Sequence, residues 1–283
     1  MPIDIACSLT KNISISLLVM MNSIACNSRD PHQLRFNVVV PAGERAYFVD
    51  RIQRGFPERR FDVRVAEFIP PPYMCGYLQN RFQPKTEQAK QGRFMQYSRL
   101  FYNQVFPDLH KTLYLDTDTL ILGDVADLYR EIATFSTDRL LAAVPHMIPA
   151  FMYFSNPCRI KSEIPLLGTT FNSGVMLTDF SLWTDAVYKR LAHYLELDAA
   201  SNYKLFYLGD ETVLNLLFQD FIPLAAKWNC CGYGNIRPLS MVLRKRLRDV
   251  AIIHWSGGHH KPWRSSNIPY GKLWQTFNRF EGS

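Results

Sequence analysis

The chain begins with short apolar runs alternating with longer stretches whose apolar residues recur at helical spacing. IDIACSL (3–9) reads as a strand, ISLLVMMNSIACN (15–27) has the helical interval, and SRDP (28–31) interrupts it. LRFNVVVPAG (34–43) is a β-branched strand ending at proline and glycine, and a helix over 44–55 and a strand over 61–68 follow. This βαβαβ opening predicts an α/β protein with a mostly parallel sheet covered by helices, and such sheets gather ligands at the carboxyl ends of their strands. From Ile69 to Arg93 the run has three consecutive prolines and no clear period, so it reads as a long loop with one short helix at most. MQYSRLFYNQVFPDL (95–109) reads as a helix closed by Phe-Pro, LLAAVPHM (140–147) and GVMLTDF (174–180) as strands, and WTDAVYKRLAHYLELDA (183–199) as an amphipathic helix. With no composition shift and no repeat, residues 1–283 are expected to form a single domain.

One segment violates this patterning. KTLYLDTDTLILGDV (111–125) places Asp116 and Asp118 inside an otherwise apolar strand, where an unpartnered carboxylate costs several kcal/mol. Positions i and i+2 of a strand project to one side, so both carboxylates can reach one point, and two oxygen donors there suit Mg²⁺ or Mn²⁺. The alternative is a strand, an exposed turn and a second strand, with both acids solvated.

YLDTDTLILGDV (114–125) resembles the DxD segment of glycosyltransferase family 8, retaining transferases of the GT-A fold with a Rossmann-like, mixed and mostly parallel sheet. YSRLF (97–101), FNSGVMLTDFSLW (171–183), LGDETVLNLLF (208–218) and HWSGGHHKPW (254–263) arrive in the family's order, so the resemblance covers nearly the whole chain. It implies transfer of a hexose or pentose from a UDP-sugar to a hydroxyl acceptor, forming an α-glycosidic bond. By the resemblance, Asp116, Asp118 and His254 hold Mn²⁺ or Mg²⁺, which neutralises the departing diphosphate. Lys261 and Gly257 meet the phosphates, Arg99 lies near the donor, and Thr117, Asn172, Ser173 and Asp210 bind or position it.

Three departures from the family pattern stand out. Glu211 occupies a position where most members carry glutamine, which makes a covalent glycosyl-enzyme chemically accessible beside front-side displacement; an acid there also suits a helix N-terminus by its charge alone. Three residues, Gly258, His259 and His260, separate Gly257 from Lys261, where the family usually has two. ACSLTKN (6–12) lacks the usual acid for the uracil or ribose, leaving Thr10 and Asn12 as the candidate contacts, and Pro145-His146 stands where some members carry an acidic sugar contact. The acceptor is expected against the 69–93 loop and the C-terminal segment.

Charge and cysteine content add boundaries. A net charge of +7 suits an anionic partner or peripheral contact with a membrane, and the RKRLR cluster (244–248) reads as a solvated helix face or, less simply, as a contact for an anionic membrane or acidic glycan. Six cysteines without CxxC spacing suit reduced thiols. The opening MPIDIACSLTKN lacks signal-peptide character and the apolar run 13–26 is too short to span a bilayer, so a cytoplasmic protein is expected. Two rival classes remain at this level. A nucleotidyltransferase would more often show a glycine-rich loop after the first strand, which CSLTKNIS lacks; a basic module for nucleic acid or glycan has no need of paired carboxylates. A nucleic-acid partner is therefore not expected.

Overall fold

Strand by strand, neighbouring side chains point into two different cores. In the computed structural model, which describes residues 2–132, 135–146, 148–155, 164 and 167–280, the elements in chain order are β1 (Ile3–Ser8), α1 (Ser14–Asn27), β2 (Leu34–Pro41), α2 (Arg45–Gly55), β3 (Asp62–Phe68), α3 (Pro72–Phe82), α4 (Glu87–Ser98), α5 (Tyr102–Val105), β4 (Lys111–Leu115) and β5 (Thr119–Ile121). Then follow α6 (Val125–Glu131), β6 (Leu141–His146), β7 (Thr170–Asp179), α7 (Asp185–Ala200), α8 (Asp210–Leu217), β8 (Ile222–Pro223), α9 (Arg237–Val242), β9 (Ile252–His254) and α10 (Gly271–Phe277). Seven strands form one sheet in the order β3-β2-β1-β4-β7-β6-β8. β1 to β4 run parallel, and β7 enters antiparallel to both β4 and β6. The mixed, mostly parallel sheet is that of the GT-A fold.

Leu113 and Leu115 of β4 join a core with α1 and α2, whereas Tyr114 joins the opposite core with α4, α7 and α8. Val38 and Val39 of β2 divide in the same way. Burial on both faces is why these strands read as unbroken apolar runs. Asp4 is buried on β1 and paired with Arg35 at 2.6 Å.

Three expectations are corrected. The 69–93 stretch holds α3 and the start of α4: the proline run ends with Pro72 in the first turn of α3, where a missing N–H costs no helical bond. Gln83 closes that helix at a left-handed φ of 42°, and Thr86 caps α4 by accepting from Ala89 N–H at 3.1 Å. The helix expected over 95–109 ends at Ser98, and only Tyr102–Val105 resumes it. Residues 244–248 are exposed as expected but lie beyond α9, outside any α-helix. Cys158 and Met147 lie outside the described residues; the other five cysteines are free. Among the described residues no helix is long and apolar enough to cross a membrane.

Candidate active site

The DTD segment links two sheets. β4 ends at Leu115, and Asp116 N–H still donates to Gly174 O of β7 at 2.8 Å. The chain then turns, held by Thr119 Oγ1 donating to Asp116 O at 2.7 Å, and TLI starts a separate two-stranded sheet as β5. Its antiparallel partner is β9, with Thr119 opposite His254, and Trp255 N–H donates to Asp118 O at 3.0 Å. Thus the two acids sit in a turn at the carboxyl end of β4, and pairing across 135 residues of sequence delivers the histidine beside them.

One ligand atom from each of Asp116, Asp118 and His254 lies within 4.8 Å of the others. His254 Nε2 is 3.3 Å from Asp118 Oδ1 and 3.8 Å from Asp116 Oδ2. Its Nδ1 donates to Asn229 Oδ1 at 3.0 Å, which leaves the Nε2 lone pair facing the carboxylates, the arrangement of a metal-binding imidazole. Arg99 and Tyr114 donate to Asp116 Oδ1, whereas Oδ2 accepts no hydrogen bond among the described residues. A Cβ on Gly174 would stand 2.1 Å from His254 Cε1 and 2.8 Å from Asp116 Oδ2, so the glycine keeps this space open. An O,O,N donor set around unfilled space fits a divalent cation, and the nitrogen donor suits Mn²⁺ better than Mg²⁺.

Charged groups ring the cluster. Lys261 Nζ is 2.5 Å from Asp118 Oδ2 and donates to Trp255 O at 2.8 Å. Burial pushes the Asp118 carboxyl up, but the Lys261 ammonium beside it outweighs this and holds the group well below the ordinary carboxylate range. Arg99 bridges Asp116 at 2.8 Å and Asp210 at 3.2 Å, with its guanidinium 4.6 Å from the Tyr114 ring centre. Burial raises the Asp210 carboxyl against the pull of Arg99.

Glu211 does not cap α8. Its Oε2 accepts from Asn172 Nδ2 at 2.8 Å and Ser173 N–H at 3.2 Å, and its Oε1 from Tyr153 at 3.2 Å. Burial is the main cause that pushes its carboxyl up to about 7. His146 Nδ1 stands 3.8 Å from Oε1, and burial together with His254 lowers this imidazole to about 4.

These groups line one cavity of about 810 Å³, which takes in Arg99, Asp116, Asp118, Asn172, Ser173, Asp210, Glu211, His254, Gly257 and Lys261. Thr10, Asn12 and Thr117 are not among its lining residues: Thr10 donates to Asn12, and buried Thr117 accepts from Ser16 at 2.9 Å. Of the two segments expected to meet the acceptor, no residue of 69–93 lines the cavity, whereas Ser256, Gly257 and Lys261 of the C-terminal segment do, together with residues of 144–152 and 231–245. The lengthened GGHHK loop is tied down by the N–H groups of His259 and His260, which both donate to Gly234 O at 3.0 and 2.9 Å. Gly257 is its constrained glycine, at φ +107° with Asn235 2.8 Å from a would-be Cβ, while Gly258 faces open space. Gln96, Tyr153 and Asn229 also hold site side chains in place. Gln96 donates to Asp210 at 2.5 Å, and no local motif marks any of the three.

The family model described as glycosyl transferase family 8 matches residues 4–267. The chain belongs to this family. Membership decides for a glycosyltransferase over the nucleotidyltransferase and binding-module readings. Among the relatives of this family 8 chain, probable galacturonosyltransferase-like 6 of Arabidopsis thaliana is 24% identical over 281 residues, covering 94% of this chain and 77% of the relative. Galactosyltransferase LgtC, solved in complex with donor and acceptor sugar analogs, superposes with a TM-score of 0.68 at 20% identity, covering 98% of this chain and 95% of LgtC. An active-site glutamine-to-glutamate mutant of LgtC matches at the same TM-score and identity, over 97% and 95%. These likenesses bear out the GT-A fold.

Proposed function

We propose that residues 1–283 act as one metal-dependent retaining glycosyltransferase that moves a sugar from a UDP-sugar to a hydroxyl acceptor with an α-linkage. The observation that carries this reading is the convergence of Asp116, Asp118 and His254 on the space kept open by Gly174, at the floor of the large cavity. The ion supplies Lewis-acid stabilisation of the diphosphate leaving group when bound. Lys261, tethered to Asp118 and the Trp255 carbonyl, is a point charge within reach of phosphate oxygens. Arg99 and Asp210, locked to one another and to Gln96, present a rigid edge for donor hydroxyls. Gly257 lets the loop backbone approach the diphosphate, whereas Thr10, Asn12 and Thr117, outside the cavity lining, are given no donor contact in this reading.

Glu211 favours front-side displacement. Both of its oxygens are already engaged by Asn172, Ser173 and Tyr153, and burial favours its neutral form. A neutral carboxyl fixed in this way can stabilise a developing oxocarbenium ion through its carbonyl oxygen, as a glutamine would. A sugar adduct trapped on Glu211 and seen by intact-mass analysis would instead establish the covalent route. The test of the whole reading is a panel of UDP-sugars with Mn²⁺, following slow UDP release without acceptor. Metal-dependent release from at least one is expected, and the absence of both release and metal-dependent binding across nucleotide sugars rejects it.

A further inference from the structure

The mouth of the cavity carries a surface that glycosyl transfer does not require. Through and beyond the six-residue α9, Ile236, Pro238, Leu239 and residues 241–248 are exposed, whereas Ser240 faces inward. Large aliphatic side chains face outward there, with Val242 82%, Ile236 52% and Leu247 49% accessible. Arg244, Lys245, Arg246 and Arg248 stand among them, all exposed, and Asp249 is the sole acid of 236–249. The segment adjoins the site, because Leu239, Leu243 and Lys245 line the cavity wall. On another part of the rim, Met152 and Leu208 line the cavity beside Phe151 and Tyr207, which are 58% and 67% accessible.

A soluble polyanion would use the cations but has no use for exposed aliphatics. Neutral apolar partners would use the aliphatics but gain nothing from four cations. An anionic bilayer uses both, since apolar side chains enter the headgroup boundary while Lys and Arg meet the lipid phosphates. We propose that residues 236–248 dock the mouth of the cavity onto an anionic lipid surface. Resting on the transferase reading, this docking means that the acceptor hydroxyl is presented to the site from the membrane plane.

Sedimentation of the full chain with phosphatidylcholine vesicles, with and without phosphatidylglycerol, tests the surface. Binding is expected only with phosphatidylglycerol and weakens as salt screens the charges. Arg246→Glu with Arg248→Glu lowers it by about tenfold or more. Val242→Ser with Leu247→Ser also lowers it, although every charge is kept. None of these four residues lines the cavity, so both double variants retain the parent's metal-dependent UDP release, which also shows that they fold. Failure to bind phosphatidylglycerol vesicles, equal binding to both vesicle types, or binding unaffected by the aliphatic variants and abolished by dextran sulfate overturns the proposal. Vesicle binding without UDP release from any nucleotide sugar would count against the transferase reading alone.

Discussion

Two ion clusters in this chain, one fully buried and one opening on the cavity, are each built on an aspartate and a buried arginine and serve opposite ends. Asp198, fully buried on α7, accepts from Leu205 and Phe206 N–H at 2.9 and 3.2 Å through Oδ1, and from Tyr77 at 2.7 Å and Arg81 through Oδ2. Arg81 also donates to Phe206 O, so α3, α7 and the chain leading to α8 are clamped together. Asp116 has the same kind of arginine partner on Oδ1, but its Oδ2 faces His254 at 3.8 Å and accepts no hydrogen bond among the described residues. Satisfied acceptors make a brace, while converging acceptors with open space between them make a site.

Substitution separates the two most sharply. Asp118→Asn is expected to lower metal-dependent UDP release by at least about 100-fold, because a metal ligand is lost. Asp198→Asn leaves Arg81 buried without its counter-charge and should cost about 3–5 kcal/mol in denaturant unfolding, with turnover per folded molecule preserved. If Asp198→Asn abolished turnover in the folded protein, or Asp118→Asn destabilised it more than Asp198→Asn, the comparison would fail.

Metal linkage sharpens it next. At about 100 times its dissociation constant, Mn²⁺ should raise stability by about 2.7 kcal/mol, read as a higher melting temperature that a chelator reverses. Gly174→Ala, whose Cβ would meet His254 and Asp116, is expected to remove that rise while Asp198→Asn retains it. An undiminished Mn²⁺ shift in the alanine variant would move the ion elsewhere.

The smallest effect concerns Glu211. Its folded value of about 7 lies above the ordinary 4.5, so between these values the folded chain holds a proton that the unfolded chain has released. Stability from this group is therefore full below pH 4.5, falls as pH rises to about 7, and is level above. Glu211→Gln keeps an acceptor toward Asn172 and Ser173 and removes the titration. It should gain about 1–3 kcal/mol over the parent at pH 8 and little at pH 4.5, measured by unfolding at both. Substantial retained turnover supports front-side displacement, and its loss with a trapped adduct on the parent supports the covalent route.

How far the site was legible depended on how local its signals are. Asp116 and Asp118 are two residues apart on an apolar background, and the HWSGGHHKPW segment keeps His254 and Lys261 together, so both declared themselves. The proline run at 70–72 misled because it looks like a helix breaker, yet its last member, Pro72, opens the first turn of α3. RKRLR was rightly read as exposed, but a basic composition does not reveal that α9 stops before it.

By itself the sequence determined the alternation of elements, the two-sided burial of the strands and the residue types able to bind a cation, because each depends on neighbours within a few positions. Only the tertiary structure decided that TLYL and TLIL belong to different sheets, that Asn229 orients His254, that Tyr153 and Asn172 engage Glu211, and that Gly174 leaves room for an ion. Those facts come from contacts between residues far apart in the chain. Hydrogen-bond direction and a missing Cβ acquire chemical meaning only once the fold has brought their partners together.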